Sequence, residues 1–294
     1  MNTNIEIVAK GDSGTSSDAA LEETVEKALD QFDYVVKKFS RFEENSELNT
    51  LNKNSSRHFI VSEELFTLVR LAIQASKESE YLYDPTIIDL LKAYGYGKSY
   101  DPSNIIQKLE DPNFQKELEK IIQSRPSPEE IELSEKDLSI KLAKGQKLDL
   151  GSIAKGYAID LAAKTLENEG YKDFLINAGG DIYAGEEKKI ALFDPRNPEE
   201  PLGEVHVKNQ ALAGSGDFAR KIGIFSHLVN TRPRRENSKI LQTYVIAPTA
   251  TEADLYSTVL SLMGKPGLKL LEKKKYRSLI IGNDSIKGRI TPID

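Results

Sequence analysis

Apolar positions along this chain keep two different periods. Asn4 to Lys10 alternates in the manner of a strand. After a polar loop from Gly11 to Ser17, Leu21, Val25, Ala28, Leu29, Phe32, Val36 and Phe39 recur at helical spacing. That recurrence predicts a long amphipathic helix, ending where Ser40-Arg-Phe-Glu-Glu begins. His58 to Val61 reads as a short strand. Ser62 then reads as the N-cap of a helix with Leu65, Leu68, Val69, Ala72 and Ile73 on one face. From Asp101 to Glu135 the chain turns charged and proline-punctuated, which predicts a peripheral insert carrying one helix near Phe114 to Gln123.

Beyond that insert, Leu138 to Leu142 and Lys147 to Leu150 read as strands around a Lys144-Gly145 turn. A helix from about Ser152 to Glu169 is expected to stop at Gly170, a residue suited to the left-handed position after a helix. Phe174 to Ile176, Lys189 to Phe193, Glu204 to Val207, Ile224 to Val229, Ile240 to Ile246 and Ser278 to Ile281 supply further strands. Strands mixed with several long helices, without regular βα alternation, predict an α+β fold with mainly antiparallel sheets. At 294 residues the chain suits one catalytic unit over 1–294, built as one domain or as two packed subdomains.

Composition narrows the chemistry. A formal charge of −6 and the lack of a long basic run with interleaved aromatics argue against a nucleic-acid surface. The chain has no cysteine, which excludes disulfides, thiolate catalysis and zinc–thiolate sites. No apolar run reaches the ~18 residues of a membrane span, and no signal peptide opens the chain. A cytoplasmic protein is therefore expected, the alternative being an exported or anchored form whose signal segment was removed.

Two segments stand out. Asp149-Leu-Gly-Ser-Ile-Ala-Lys-Gly-Tyr-Ala-Ile-Asp160 runs through glycine and small residues into a helix, the way a chain brings backbone close to an anionic ligand. Ala250-Thr-Glu-Ala-Asp-Leu-Tyr-Ser-Thr258 sets Asp254 and Thr258 on one helix face, a carboxylate above a hydroxyl. Each has a plain alternative. Thr251 and Asp254 also make a serviceable capping pair, Asp149 a turn residue, and Lys155 a solvated helix cation.

Their company decides between these readings. In order come Met1 to Asn4, Phe39-Ser-Arg-Phe-Glu-Glu-Asn-Ser-Glu-Leu-Asn-Thr-Leu-Asn52, Tyr83-Asp-Pro-Thr86, the Asp149 segment and Asn177-Ala-Gly-Gly-Asp181. Phe193-Asp-Pro195, Ala211-Leu-Ala-Gly-Ser-Gly-Asp217, Ser226-His-Leu228 and the Asp254 segment follow. This ordered series resembles the ApbE family of flavin transferases, over roughly Met1 to Gly264. The resemblance implies a T-fold-related α+β architecture and an enzyme that moves FMN from FAD onto a threonine of a target protein with the help of Mg²⁺. It implies metal ligation by the side chains of Asp254 and Thr258 and the backbone carbonyl of Ser152. It implies FAD contacts at Met1, Phe42, Leu82, Tyr83, Asp84, Asp149, Lys155 and Val229. The physical roles fit: an aromatic ring for stacking at Phe42, an acceptor at Asp149, a cation against phosphate at Lys155.

The resemblance also singles out His227 as general base, a natural proton acceptor near neutral pH, while His58 and His206 read as surface or edge residues. Asn177 to Asp181 reads as a tight glycine turn that serves as scaffold, and Gly214-Ser-Gly-Asp217 as a turn offering backbone N–H groups to an anion. One departure follows His227: Asn230 and Thr231 stand where the family has Asp-Pro, and two extra arginines arrive. Target recognition is the property this touches. Family acceptors carry an Asp-x-x-Thr/Ser-Gly-Ala-Thr-like segment, and none occurs in this chain. The same metal and phosphate site would also serve an FAD pyrophosphatase releasing FMN and AMP, or a protein that holds FAD without turnover.

Overall fold

The computed structural model describes residues 3–11, 17–94, 111–216, 221–222, 225–226, 240–283 and 285–290. The chain divides into two compact units. The first joins Met1–Lys37, Gly151–Gly216 and Asn237–Asp294; the second joins Lys38–Leu150 and Asp217–Glu236.

The first unit is built on a seven-stranded sheet. Its strands are β1 (Ile5–Ala9), β5 (Phe174–Ala178), β6 (Asp181–Ala184), β9 (Gln210–Gly216), β12 (Ile240–Ala247), β13 (Arg277–Gly282) and β14 (Ile286–Gly288), in that spatial order. Every neighbouring pair runs antiparallel, which bears out the expected class. Side chains leave a strand on alternate faces, and the two faces of this sheet find different cover. On one face Ala184, Leu212, Ile246, Leu279 and Ile281 meet Ile190, Leu192, Val205 and Val207 from a two-stranded ribbon, β7 (Lys188–Asp194) and β8 (Asn197–Val207). Each large aliphatic side chain removed from water there contributes about 1.5–3 kcal/mol. The other face carries helix α6 (Ala154–Asn168), packed on β5 and β6, and helix α7 (Ala250–Met263), packed on β9 and β12. Gly156 sits where these helices touch: a Cβ there would lie 2.2 Å from the carbonyl oxygen of Ala250.

Local chemistry explains the ends. Gly170, at φ +88, closes α6 as expected, its N–H reaching Glu167 O at 3.0 Å while Tyr171 N–H reaches Leu166 O at 3.1 Å. Gly179 and Gly180, at φ +64 and +95, form the two-residue turn between β5 and β6, where both central positions need left-handed backbone. Strands β6 and β9 were not among those the pattern predicted.

The second unit holds helices α2 (Glu47–Lys53), α3 (Glu63–Glu78), α4 (Ile88–Ala93) and α5 (Pro112–Ser124) with a small antiparallel sheet. Its order is β2 (Phe59–Ile60), β4 (Ser139–Lys141), β3 (Glu132–Ser134), and a separate antiparallel pair joins β10 (Lys221–Ile222) to β11 (Phe225–Ser226). Ser62 caps α3 as read, accepting from Leu65 N–H at 3.2 Å. Helix α1 (Asp18–Phe39) runs as the helical spacing predicts.

One expectation needs correction here. Lys147 to Leu150 joins no ladder; the amide of buried Asn52 bonds its backbone instead. It accepts from Leu148 N–H at 2.7 Å and donates to Leu148 O at 3.0 Å. Where it is described, the 101–135 stretch is tied to the rest of this unit. Leu118 of α5 packs against Leu90 and Leu91 of α4, and Glu132–Ser134 supplies a strand of the sheet.

Candidate active site

In the first unit, three charged side chains converge between α6, α7 and β6. Asp254, one turn into α7, is 6% exposed, and Asp181, the first residue of β6, is 3% exposed. Lys155, from the first turn of α6, places its ammonium 3.3 Å from Asp254 Oδ1 and pairs with Asp181 Oδ2. Asp254 Oδ2 also accepts from Gly156 N–H at 3.1 Å, and Asp181 Oδ1 from Gly214 N–H at 3.3 Å. Among the described residues one cation serves the two buried carboxylates. Burial pushes the Asp254 carboxyl above its ordinary range, even though Lys155 and the Gly156 N–H pull it down.

Hydroxyl groups line the next turn. Ser215 Oγ lies 2.7 Å from Ser257 Oγ and 3.3 Å from Thr258 Oγ1, and Thr243 Oγ1 lies 2.9 Å from the carbonyls of Ser215 and Ser257. Asp254 and Thr258 share the face that spacing predicted. Carboxylate and hydroxyl oxygens suit a small hard divalent cation that keeps waters or ligand oxygens in its shell. Among the described residues no group of three or more His, Cys, Asp or Glu side chains forms a closed protein cage. Ser152 lies in the half-buried turn that leads into α6.

The alternative reading of Thr251 and Asp254 as a cap is not what the structure shows. Thr249 is the N-cap of α7, accepting from Glu252 N–H at 3.2 Å while its hydroxyl donates to Glu252 Oε2 at 3.0 Å. The remaining first-turn donors belong to Asp160 of α6, which accepts from Ala250 N–H at 2.7 Å, from Thr251 N–H at 2.9 Å and from the Thr251 hydroxyl. Asp254 takes no part in capping its own helix; its carboxylate instead accepts the first-turn N–H of Gly156 in α6. Gly214-Ser-Gly216 is likewise not a turn but the end of β9, paired with Tyr244, Thr243 and Gln242. Both glycines make room for β12, since Cβ atoms would lie 2.7 and 2.1 Å from the Gln242 side chain.

Asp181 is a member of the candidate site that the sequence pattern does not mark. The glycine turn before it forms as the pattern predicts. The available signal was an aspartate opening a strand in a buried position.

In the second unit a separate group assembles. Phe42 is 40% exposed, with the Arg41 guanidinium 4.2 Å from its ring centroid. Arg41 Nε also donates to Asp149 Oδ2 at 2.5 Å, and Asp149 N–H donates to Pro85 O at 2.8 Å. Tyr83 is buried, Leu82 half-buried, and the carboxylate of buried Asp84 is bound by Arg125 and Thr86. Met1, His227, Val229, Asp217, Asn230 and Thr231 lie outside the described residues. His58 and His206 are partly exposed as expected, beside Glu132 and Glu187.

Known proteins provide the comparison. The profile of the ApbE family matches residues 1–280. The FAD:protein FMN transferase of Vibrio cholerae is 25% identical over 282 residues, covering 91% of this chain and 81% of that protein. The FAD:protein FMN transferase of Escherichia coli K12 is 24% identical, covering 93% and 80%. The crystal structure of the ApbE protein of Thermotoga maritima superposes with a TM-score of 0.79 at 24% identity, covering 97% of both chains. The flavin transferase ApbE of Vibrio cholerae gives 0.79 at 22% identity, covering 98% and 93%. These two structural likenesses show the fold.

Proposed function

Because the chain belongs to the ApbE family, we propose that it is a Mg²⁺-dependent FAD:protein FMN transferase acting on a threonine of a target protein. The observation that carries this reading is the buried Asp254–Lys155–Asp181 cluster, two carboxylates sharing one ammonium beside the hydroxyls of Thr258, Ser257 and Ser215. The names of the curated relatives support the reaction.

Mg²⁺ would be held by the side chains of Asp254 and Thr258 and the carbonyl of Ser152, and when bound supplies charge neutralisation at the pyrophosphate. Lys155 contributes a second positive charge for the same phosphates. Asp149 and Phe42 hold the nucleotide by an acceptor and a ring face. In the reaction the acceptor hydroxyl attacks the phosphorus of the FMN half. The new P–O bond forms as the bond to the AMP phosphate breaks, and the hydroxyl proton passes to His227 as general base. The products are a phosphoester-linked FMN on the target and free AMP.

Incubation with FAD, MgCl₂ and a peptide bearing an Asp-x-x-Thr-Gly-Ala-Thr segment, followed by mass spectrometry and in-gel flavin fluorescence, tests the proposal. The expected result is a fluorescent acceptor with FMN on its threonine and stoichiometric AMP. Free FMN with AMP and an unmodified acceptor would establish hydrolysis instead.

A further inference from the structure

The turn at Tyr83-Asp84-Pro85-Thr86 is anchored from outside itself. Asp84 has a side chain only 1% exposed. One of its oxygens accepts from the Thr86 N–H at 2.7 Å and the Thr86 hydroxyl at 2.6 Å, which folds the turn onto its own carboxylate. The other oxygen accepts from Arg125 Nη1, on a side chain 18% exposed. A carboxylate so deeply buried is costly without a counter-charge, and removing its partner costs more than the pair ever contributed.

Arg125 reaches this position from rigid backbone. It terminates α5, its N–H donating to Ile121 O at 3.2 Å. A capped turn follows at Pro128–Glu130, where Ser127 N–H donates to Glu130 Oε1 at 2.8 Å and Ser127 O accepts from buried Gln146 at 2.9 Å. From the Asp84 turn, contact passes through Pro85 O to the Asp149 N–H, through the Asp149 carboxylate to Arg41, and from Arg41 to the Phe42 ring. The described residues of this unit assigned to FAD thus hang on one chain of direct contacts, which starts from the buried Asp84 carboxylate and its partner Arg125.

We propose that Arg125 is a positioning residue for FAD: by neutralising Asp84 it fixes the turn that in turn sets Asp149 and Phe42. The inference rests on the FAD reading above. It gives the stretch around α5 a part in ligand binding.

The test is FAD titration by fluorescence quenching on wild-type protein, Arg125→Met, Arg125→Lys and Lys155→Met, with circular dichroism to confirm folding. Arg125→Met is expected to raise Kd by about 10- to 100-fold, the range seen when an outer partner that orients contact groups is lost. An ion pair serving stability alone would leave the Kd of folded Arg125→Met unchanged, and that result overturns the role. If Lys155→Met weakens FAD while Arg125→Met does not, only the positioning role falls; if wild-type protein binds no FAD, both readings fall. Should Arg125→Met not fold, Arg125→Lys carries the test. It keeps the charge but loses the forked geometry, with an expected loss of about three- to tenfold, and an unchanged Kd there overturns the role.

Discussion

Asp254→Asn should make the metal-free protein more stable and the magnesium-loaded protein less stable than wild type. The substitution keeps shape and an acceptor for the Gly156 N–H, which lies 3.1 Å away, and leaves Lys155 paired with Asp181. What it removes is one of two buried negative charges that share a single ammonium. Burial holds the Asp254 carboxyl above its ordinary value of 3.8. A raised folded-state value means that the carboxyl stabilises the fold at low pH and loses that contribution as pH rises through the folded value. In chelator at pH 7 the asparagine variant should therefore melt higher, by about 2–4 °C for each kcal/mol the ionised carboxylate cost. Below the ordinary carboxyl value the two proteins should converge. Magnesium reverses the order: at a hundredfold excess over Kd a bound ion adds about 2.7 kcal/mol to wild type, or about 5–10 °C. The variant, lacking its anionic ligand, should gain almost nothing. Differential scanning calorimetry at several pH values, with EDTA or MgCl₂, reads every part of this. A variant that melts lower than wild type in EDTA at pH 7, or that keeps the full magnesium shift, would refute the reasoning.

Other perturbations separate the remaining roles. Lys155→Met should weaken FAD binding about 10- to 100-fold, the worth of a charge-assisted hydrogen bond, as read by fluorescence quenching; unchanged affinity would return Lys155 to a purely internal ion pair. His227→Ala should bind FAD normally yet transfer FMN about 10²- to 10⁴-fold more slowly, the usual share of a positioned general base, and a single-turnover assay across pH checks it. Gly156→Ala should destabilise the protein by about 1–3 kcal/mol through overpacking, since its Cβ would lie 2.2 Å from the Ala250 carbonyl; urea unfolding measures the loss.

The long helices and the Asp254–Thr258 part of the candidate site could be read from the chain because each rested on local rules. Helical spacing put Asp254 and Thr258 together, a glycine marked the end of α6, and Ser62 announced a cap. What stayed hidden depended on partners distant in sequence. Lys147–Leu150 has the composition of a strand, but its bonding partner is a side-chain amide from Asn52. Gly214 and Gly216 looked like turn residues because glycine usually is, whereas here their emptiness is filled by Gln242 from the next strand. Asp181 became a site residue only when β6 was laid beside β9. Arg125 was concealed by its charged, proline-punctuated neighbourhood, a composition that says nothing about which buried carboxylate an arginine meets.

The threading of the first unit also constrains how the protein is made. Strand β1 pairs with β5, and β12 inserts between β9 and β13. From Ala9 to Phe174 lie 165 positions (174 − 9), so the nascent β1 waits roughly 10–30 s for its neighbour at ordinary rates of synthesis. Its alternating apolar face must be shielded for that time. The ladder closes still later, because β12 and β13 reach Gly282 and α7 lies between them. The helix bearing Asp254 and Thr258 thus docks only after β12 has been made. A ribosome-stalled chain ending before β12 would present an open sheet edge and would lack Asp254 and Thr258, making the newborn protein a client for chaperones until β12 and β13 are in place.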